Sequence, residues 1–150
     1  MKNKKKIFFF SPIIDDGGVK KNFILVINRL IKKYEITLIT SADKEKLKKL
    51  DNKIKIFQPS INYFIIYPRI LKKIFCFLLG LSIVKKNNLI ISFESNIMAI
   101  IISKLKNAKV ITRSNAAPQR YINNFIKLLI FKFFFKKSNQ VIVNSAEFKK

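Results

Sequence analysis

The chain has 150 residues, of which 49% are hydrophobic and 15 are Phe, so it reads as one domain with enough apolar mass for a real core and not as a disordered segment. Its 31 Lys and Arg against 8 Asp and Glu give a net charge of +23. It has no His and a single Cys, Cys76, which excludes His-based general bases, Ser-His-Asp triads, most zinc sites and any disulfide framework.

Lys carries nearly all of the charge; the arginines are Arg29, Arg69, Arg113 and Arg120. The joint excess of Lys, Ile, Asn and Phe resembles the product of AT-rich coding. A solvated lysine surface is therefore the first explanation of the charge. A basic face for anionic lipid, anionic sugar or nucleic acid is the alternative. Lone Cys76 sits in the apolar run IFCFLLGLSIV, where a buried, inert thiol in a reducing cytoplasm is expected. MKNKKK precedes too few apolar residues for a signal peptide. The run Ile74–Val84 is about half a bilayer span, so a spanning helix is not expected. Lys72, Lys73, Lys85 and Lys86 bracket that run, which leaves a surface-lying helix open.

In chain order, Lys6–Phe10 (KIFFF) is an apolar run suited to a central strand covered on both faces. A loop with Asp15, Asp16, Gly17 and Gly18 follows, then an amphipathic helix from Val19 or Lys20, then a second strand, Glu35–Thr40. Paired glycines allow a sharp turn and leave no side chain between main chain and ligand. The unpaired first N–H groups of the next helix, with its dipole, make such a turn a ready phosphate site. Neither GxGxxG nor GxxxxGK[ST] is present, so a plain tight turn is the competing explanation.

Ala42–Leu50 is a short charged helix, Lys53–Phe57 an edge or half-exposed strand, and Gln58–Asn62 a loop holding Pro59. Tyr63–Lys86 is mostly helical with a break at Pro68. Leu89–Phe93 is a buried strand and Asn96–Leu105 an apolar helix. Lys109–Thr112 is a strand, Arg113–Pro118 a polar loop and Arg120–Phe135 a long helix. Gln140–Val143 is a last strand, after which Asn144 and Ser145 cap a helix beginning at Ala146. The alternation predicts an α/β fold with a doubly wound parallel sheet. The chain stops one turn into that helix, from which an incomplete domain of a longer protein is expected.

Three loops should converge on the carboxyl edge of the sheet: Ser11–Val19, the FESN loop Phe93–Asn96, and RSNAAP from Arg113 to Pro118. Glu94 is the one acid between Asp51 and Glu147. It is expected to be ionised and paired, as an acceptor for sugar hydroxyls or as partner of a nearby Lys or Arg, Arg113 included. Arg113 has the planar fork that holds phosphate or carboxylate. Asn96 and Asn115 suit hydroxyl binding, or caps and turns without a ligand. Asp15 and Asp16 are neighbours that should point apart, which favours loop anchoring over metal or acid–base work.

GGVKKNFILVINRLIKKYEITLIT, LIISFESNIMAIIISKL, KVITRSNAAPQRY and SNQVIVNSAEFKK, in that order and spacing, resemble the N-terminal domain of family-4-type glycosyltransferases of the GT-B fold. The resemblance covers essentially all 150 residues. It implies a Rossmann-like, acceptor-side domain over residues 1–150, incomplete at its C-terminal end, with the donor-binding domain absent. It implies transfer of a sugar from a nucleotide-diphosphate sugar to a cell-surface glycan or lipid-linked acceptor, with retention and without metal or other cofactor. Gly17 and Gly18 would approach the donor diphosphate. Glu94, Asn96, Arg113, Ser114 and Asn115 would line the acceptor side, and no catalytic residue is assigned. Lys20 stands where the family often has an acid, and Arg113–Asn115 lack the histidine many members carry. The family's second domain, with its pair of glutamates, holds most of the donor site, so residues 1–150 alone are expected to be inactive. The implied location is cytoplasmic, with peripheral contact at the inner face of the cell membrane. The competing class is a non-enzymatic basic module for anionic membrane or nucleic acid; no RRM-like signature supports specific nucleic-acid binding.

Overall fold

The computed structural model describes residues 4–59, 68–114 and 125–143. In chain order these form β1 (Lys6–Phe10), α1 (Gly18–Leu30), β2 (Glu35–Ile39), α2 (Lys44–Leu47), β3 (Lys55–Phe57) and α3 (Arg69–Ile83). Then come β4 (Leu89–Ser92), α4 (Asn96–Leu105), β5 (Lys109–Ser114), α5 (Phe125–Phe135) and β6 (Gln140–Val143). The fold is α/β. One six-stranded sheet runs β3-β2-β1-β4-β5-β6, and each neighbouring pair is parallel. The expected Rossmann-like, doubly wound architecture is what the chain adopts.

Strand β1 shows why the sheet has helices on both faces. Successive side chains of a strand point to opposite sides. Ile7 and Phe9 join a core with Phe23 and Ile27 of α1 and Leu47 of α2. Phe8 and Phe10 join a second core with Cys76 of α3 and Ala99, Ile100 and Ile102 of α4, against which Phe134 and Phe135 of α5 also pack. Each fully buried Phe contributes about 1.5–3 kcal/mol. Cys76 is buried in the second core, and that burial pushes its thiol up to about 12, as the inert reading of the sequence required.

From β1 the chain steps outward through β2 to β3. Helix α3 then returns it to the far side of β1, where β4 pairs with Ile7–Phe10. The order of the strands therefore reverses between β1 and β4, which is where ligands settle in open α/β sheets.

Several boundaries differ from the sequence expectation. α1 begins at Gly18 and not at Val19 or Lys20. β2 stops at Ile39, one residue short of Thr40. α2 shrinks to one turn because Asn28 turns the chain after it, donating to Lys49 O at 2.8 Å and accepting from Asp51 N at 3.0 Å. β3 is a three-residue edge strand, exposed throughout. β4 ends at Ser92, before Phe93. β5 runs on to Ser114, two residues past Thr112, because β6 continues the ladder there and pairs Arg113 with Ile142 and Ser114 with Val143. The remainder of the RSNAAP loop with Asn115, the stretch 60–67, the start of the Arg120 helix and the cap at Asn144 and Ser145 lie outside the described residues.

Candidate functional site

The loop after β1 is pinned before it reaches the glycines. Ser11 N–H donates to Ile39 O at 3.1 Å, and Ser41 N–H donates to Pro12 O at 2.9 Å. Asp15 forms an ion pair with Arg69 at the start of α3. Asp16 pairs with Lys20 at 2.7 Å, and this hydrogen bond and charge hold its carboxyl below its ordinary value. The two acids point apart and each has its own cation, as the loop-anchoring reading required. Among the described residues no cluster of three or more His, Cys, Asp or Glu could hold a metal ion.

Gly17 precedes α1 at φ 131°, ψ −167°, a conformation essentially confined to glycine. Gly18 is different. It opens the helix without a positive φ, and a Cβ there would meet no atom within 4 Å. The turn therefore requires Gly17, whereas the fold has no need of a glycine at Gly18. No side chain caps α1, and Gly17 with the first helical residues, Gly18 to Lys20, lines a cavity of about 180 Å³. That cavity lies between the β1 loop and the β4 loop, at the switch point, and is closed by Phe23, Phe93 and Glu94.

A larger cavity, about 570 Å³, opens on the other side of Phe93 and Glu94. Its walls include Lys73 of α3, Ser95 and Asn96 at the start of α4, Arg113 and Ser114 of β5, and Ile130 of α5. Thus Gly17 and Gly18 border the smaller space, Asn96, Arg113 and Ser114 the larger, and Glu94 belongs to both.

An aromatic cluster sets this partition. Phe9, Phe23 and Phe93 meet at centroid distances of 5.2–6.1 Å, with Phe23 edge-on to both partners. The Arg113 guanidinium lies 5.0 Å over the Phe93 ring. Two expectations change here. Arg113 and Ser114 are buried strand residues, not members of an open loop, and burial lowers the guanidinium pKa. Glu94 and Arg113 form no ion pair. Glu94 is half-buried, and burial, then the charge of Asp15, push its carboxyl up; Lys73 and Arg69 partly offset this. The pairing expected from the sequence is therefore not made: among the described residues Glu94 forms no ion pair, and its carboxyl is held above its ordinary value.

Asn96 donates Nδ2 to Arg113 O at 2.8 Å and so ties α4 to β5. Its Oδ1 and the Ser95 Oγ are buried without a hydrogen-bond partner among the described residues. Such orphans cost about 1–3 kcal/mol each. Ser95 is also in the left-handed region, φ 56°, ψ 43°, a conformation that costs a non-glycine residue on the order of 1 kcal/mol. Strain and unsatisfied polar atoms thus coincide at the wall of the larger cavity.

Lys73 and Ile130 are site residues that the sequence reading missed, and Ser95, though within the FESN loop placed at the site edge, was not singled out. Ser95 precedes a helix and so looks like an ordinary cap, although its side chain caps nothing in α4. Lys73 and Ile130 reach the site only through the packing of α3 and α5. The chain matches no family model and no curated protein.

Proposed function

We propose that this chain is the acceptor-side domain of a GT-B glycosyltransferase, which moves a sugar from a nucleotide-diphosphate donor to a cell-surface glycan or lipid-linked acceptor. One observation carries the proposal: two cavities share Glu94 as a wall at the switch point of a parallel sheet, one bordered by the start of α1 and the other by polar side chains.

The first N–H groups of α1 suit the oxygens of a diphosphate, and the open space over Gly18 leaves the backbone accessible. The larger cavity suits a polar acceptor. Glu94 accepts a hydrogen bond from an acceptor hydroxyl when ionised and donates one when protonated. At the wall of that cavity, Ser95 Oγ and Asn96 Oδ1 lack hydrogen-bond partners among the described residues. Rate acceleration then comes from holding acceptor and donor in register and from stabilising the leaving diphosphate.

The test is amide NMR of the ¹⁵N-labelled chain titrated with a nucleoside diphosphate and, separately, with the nucleoside. The expected result is shifts at Gly17, Gly18 and Val19 with the diphosphate alone, lost in Gly18→Val while the remaining spectrum stays native. Shifts confined to surface lysines, or identical shifts with the nucleoside, would remove the glycine turn from the site.

A further inference from the structure

We infer that α5 docks the protein on an anionic lipid surface, lying in the interface and not crossing it. The helix is 11 residues long, FIKLLIFKFFF, and has no buried residue. Phe125, Leu129 and Phe133 recur at every fourth position, as do Ile126 and Ile130. These two rows are adjacent on a helix and form one stripe. All five are 43–70% exposed. The opposite side of the helix supplies Phe134 and Phe135 to the core beneath α4, so the orientation of the stripe is fixed by packing.

The charge around the stripe identifies the partner. Lys132 and Lys136 are exposed, and Lys137 sits 3.8 Å over the Phe133 ring. No acidic residue occurs from Phe125 to Val143. A second copy of a chain with net charge +23 would bring like charge to like charge across this face. A bilayer with anionic headgroups accepts both the apolar stripe and the lysines. At about 1.5 Å per residue the helix is roughly 16 Å long, half of a hydrocarbon core of about 30 Å. No described helix is long and apolar enough to cross a membrane. Ile130 belongs both to the stripe and to the wall of the larger cavity, so a docked α5 sets that cavity beside the lipid surface. Entry of a lipid-linked acceptor from the bilayer rests on the transferase reading; the docking itself does not.

The experiment is co-sedimentation of the full chain with vesicles of equal parts phosphatidylglycerol and phosphatidylcholine, compared with phosphatidylcholine alone, over a salt series. Binding should favour the anionic vesicles more than tenfold and weaken with salt. Lys132→Glu with Lys136→Glu should lower it by at least fivefold per lysine. Lys32→Glu with Lys33→Glu, exposed beyond α1 on the opposite face, should lower it far less. Leu129→Asp with Phe133→Asp should abolish binding at every salt concentration while circular dichroism and protection of the Cys76 thiol stay native. Equal partitioning to both vesicles, equal losses from the two lysine pairs, or undiminished binding of the apolar variant would overturn the docking face. So would a concentration-dependent dimer that the apolar variant disperses, or an oligonucleotide that displaces the vesicles through the same residues.

Discussion

Strands β1 and β6 are both short apolar runs in one parallel sheet, yet they live in different surroundings. β1 lies in the middle of the order, and its last four residues are buried. β6 lies at the end, where Val141 and Ile142 are 41% and 49% exposed. The helices repeat the contrast. α1 sends Phe23 and Ile27 into a closed core, whereas α5 leaves a row of Phe, Ile and Leu facing outward. Apolar content alone therefore does not define the core. Position in the strand order does, and apolar surface left at the edge is available for a partner.

The sharpest test of that contrast is truncation on each side. Phe9→Ala should lose about 3–5 kcal/mol, the usual result for an aromatic removed from a closed core. It should also loosen Phe93 and with it the seat of Arg113, since the three rings touch. Phe125→Ala should change stability by no more than about 0.5 kcal/mol. Urea denaturation of the two variants decides it. Comparable losses would mean that α5 is part of the core and that its stripe is not a docking surface.

Glycines supply a second comparison, with smaller effects. Gly80 of α3 faces α4, and a Cβ there would lie 2.7 Å from Ile102 Cδ1, inside a core where Ile102 is fully buried. Gly80→Leu should cost about 1–3 kcal/mol by overpacking. Gly18→Ala meets open space and a helical backbone, so its effect should fall between zero and a gain of about 1 kcal/mol. Thermal melts on both are sufficient. A large loss at Gly18 would make it a structural glycine and weaken the ligand reading of the turn.

The strand and helix alternation was legible because buried parallel strands are uninterrupted apolar runs and the helices carry their own period. β1, α4 and β6 fall where the residues place them. Legibility failed where a boundary or a charge state depended on a distant partner. β5 extends to Ser114 because β6 pairs with it, and nothing within KVITRS announces that. Glu94 looked paired because the chain is rich in cations. The fold instead half-buries it near Asp15, and the Arg69 guanidinium pairs with Asp15. The glycine turn and FESN were visible as neighbours of strand ends, but the division into two cavities depends on Phe93 meeting Phe9 and Phe23 across three elements.

The smallest predicted effect concerns the carboxylates, and its sign separates the site from the surface. Asp16 and Glu35 are held below their ordinary values by Lys20 and Lys55, so their pairs stabilise the fold above the unfolded carboxylate range. That contribution is lost as pH falls through their lowered folded-state values. Glu94 runs the other way. Its folded-state value is raised, so its contribution is complete below the unfolded value of 4.5 and disappears as pH rises through the raised one. Above that point the folded state holds a half-buried carboxylate that the unfolded chain would hydrate. Glu94→Gln should therefore leave stability unchanged at acid pH and increase it slightly at neutral pH. Asp16→Asn should do the reverse, with a slight loss at neutral pH that vanishes in acid. Urea midpoints across the acid-to-neutral range measure both. A Glu94→Gln variant that loses stability at neutral pH would show that the folded state favours the Glu94 carboxylate, against the direction of its raised pKa.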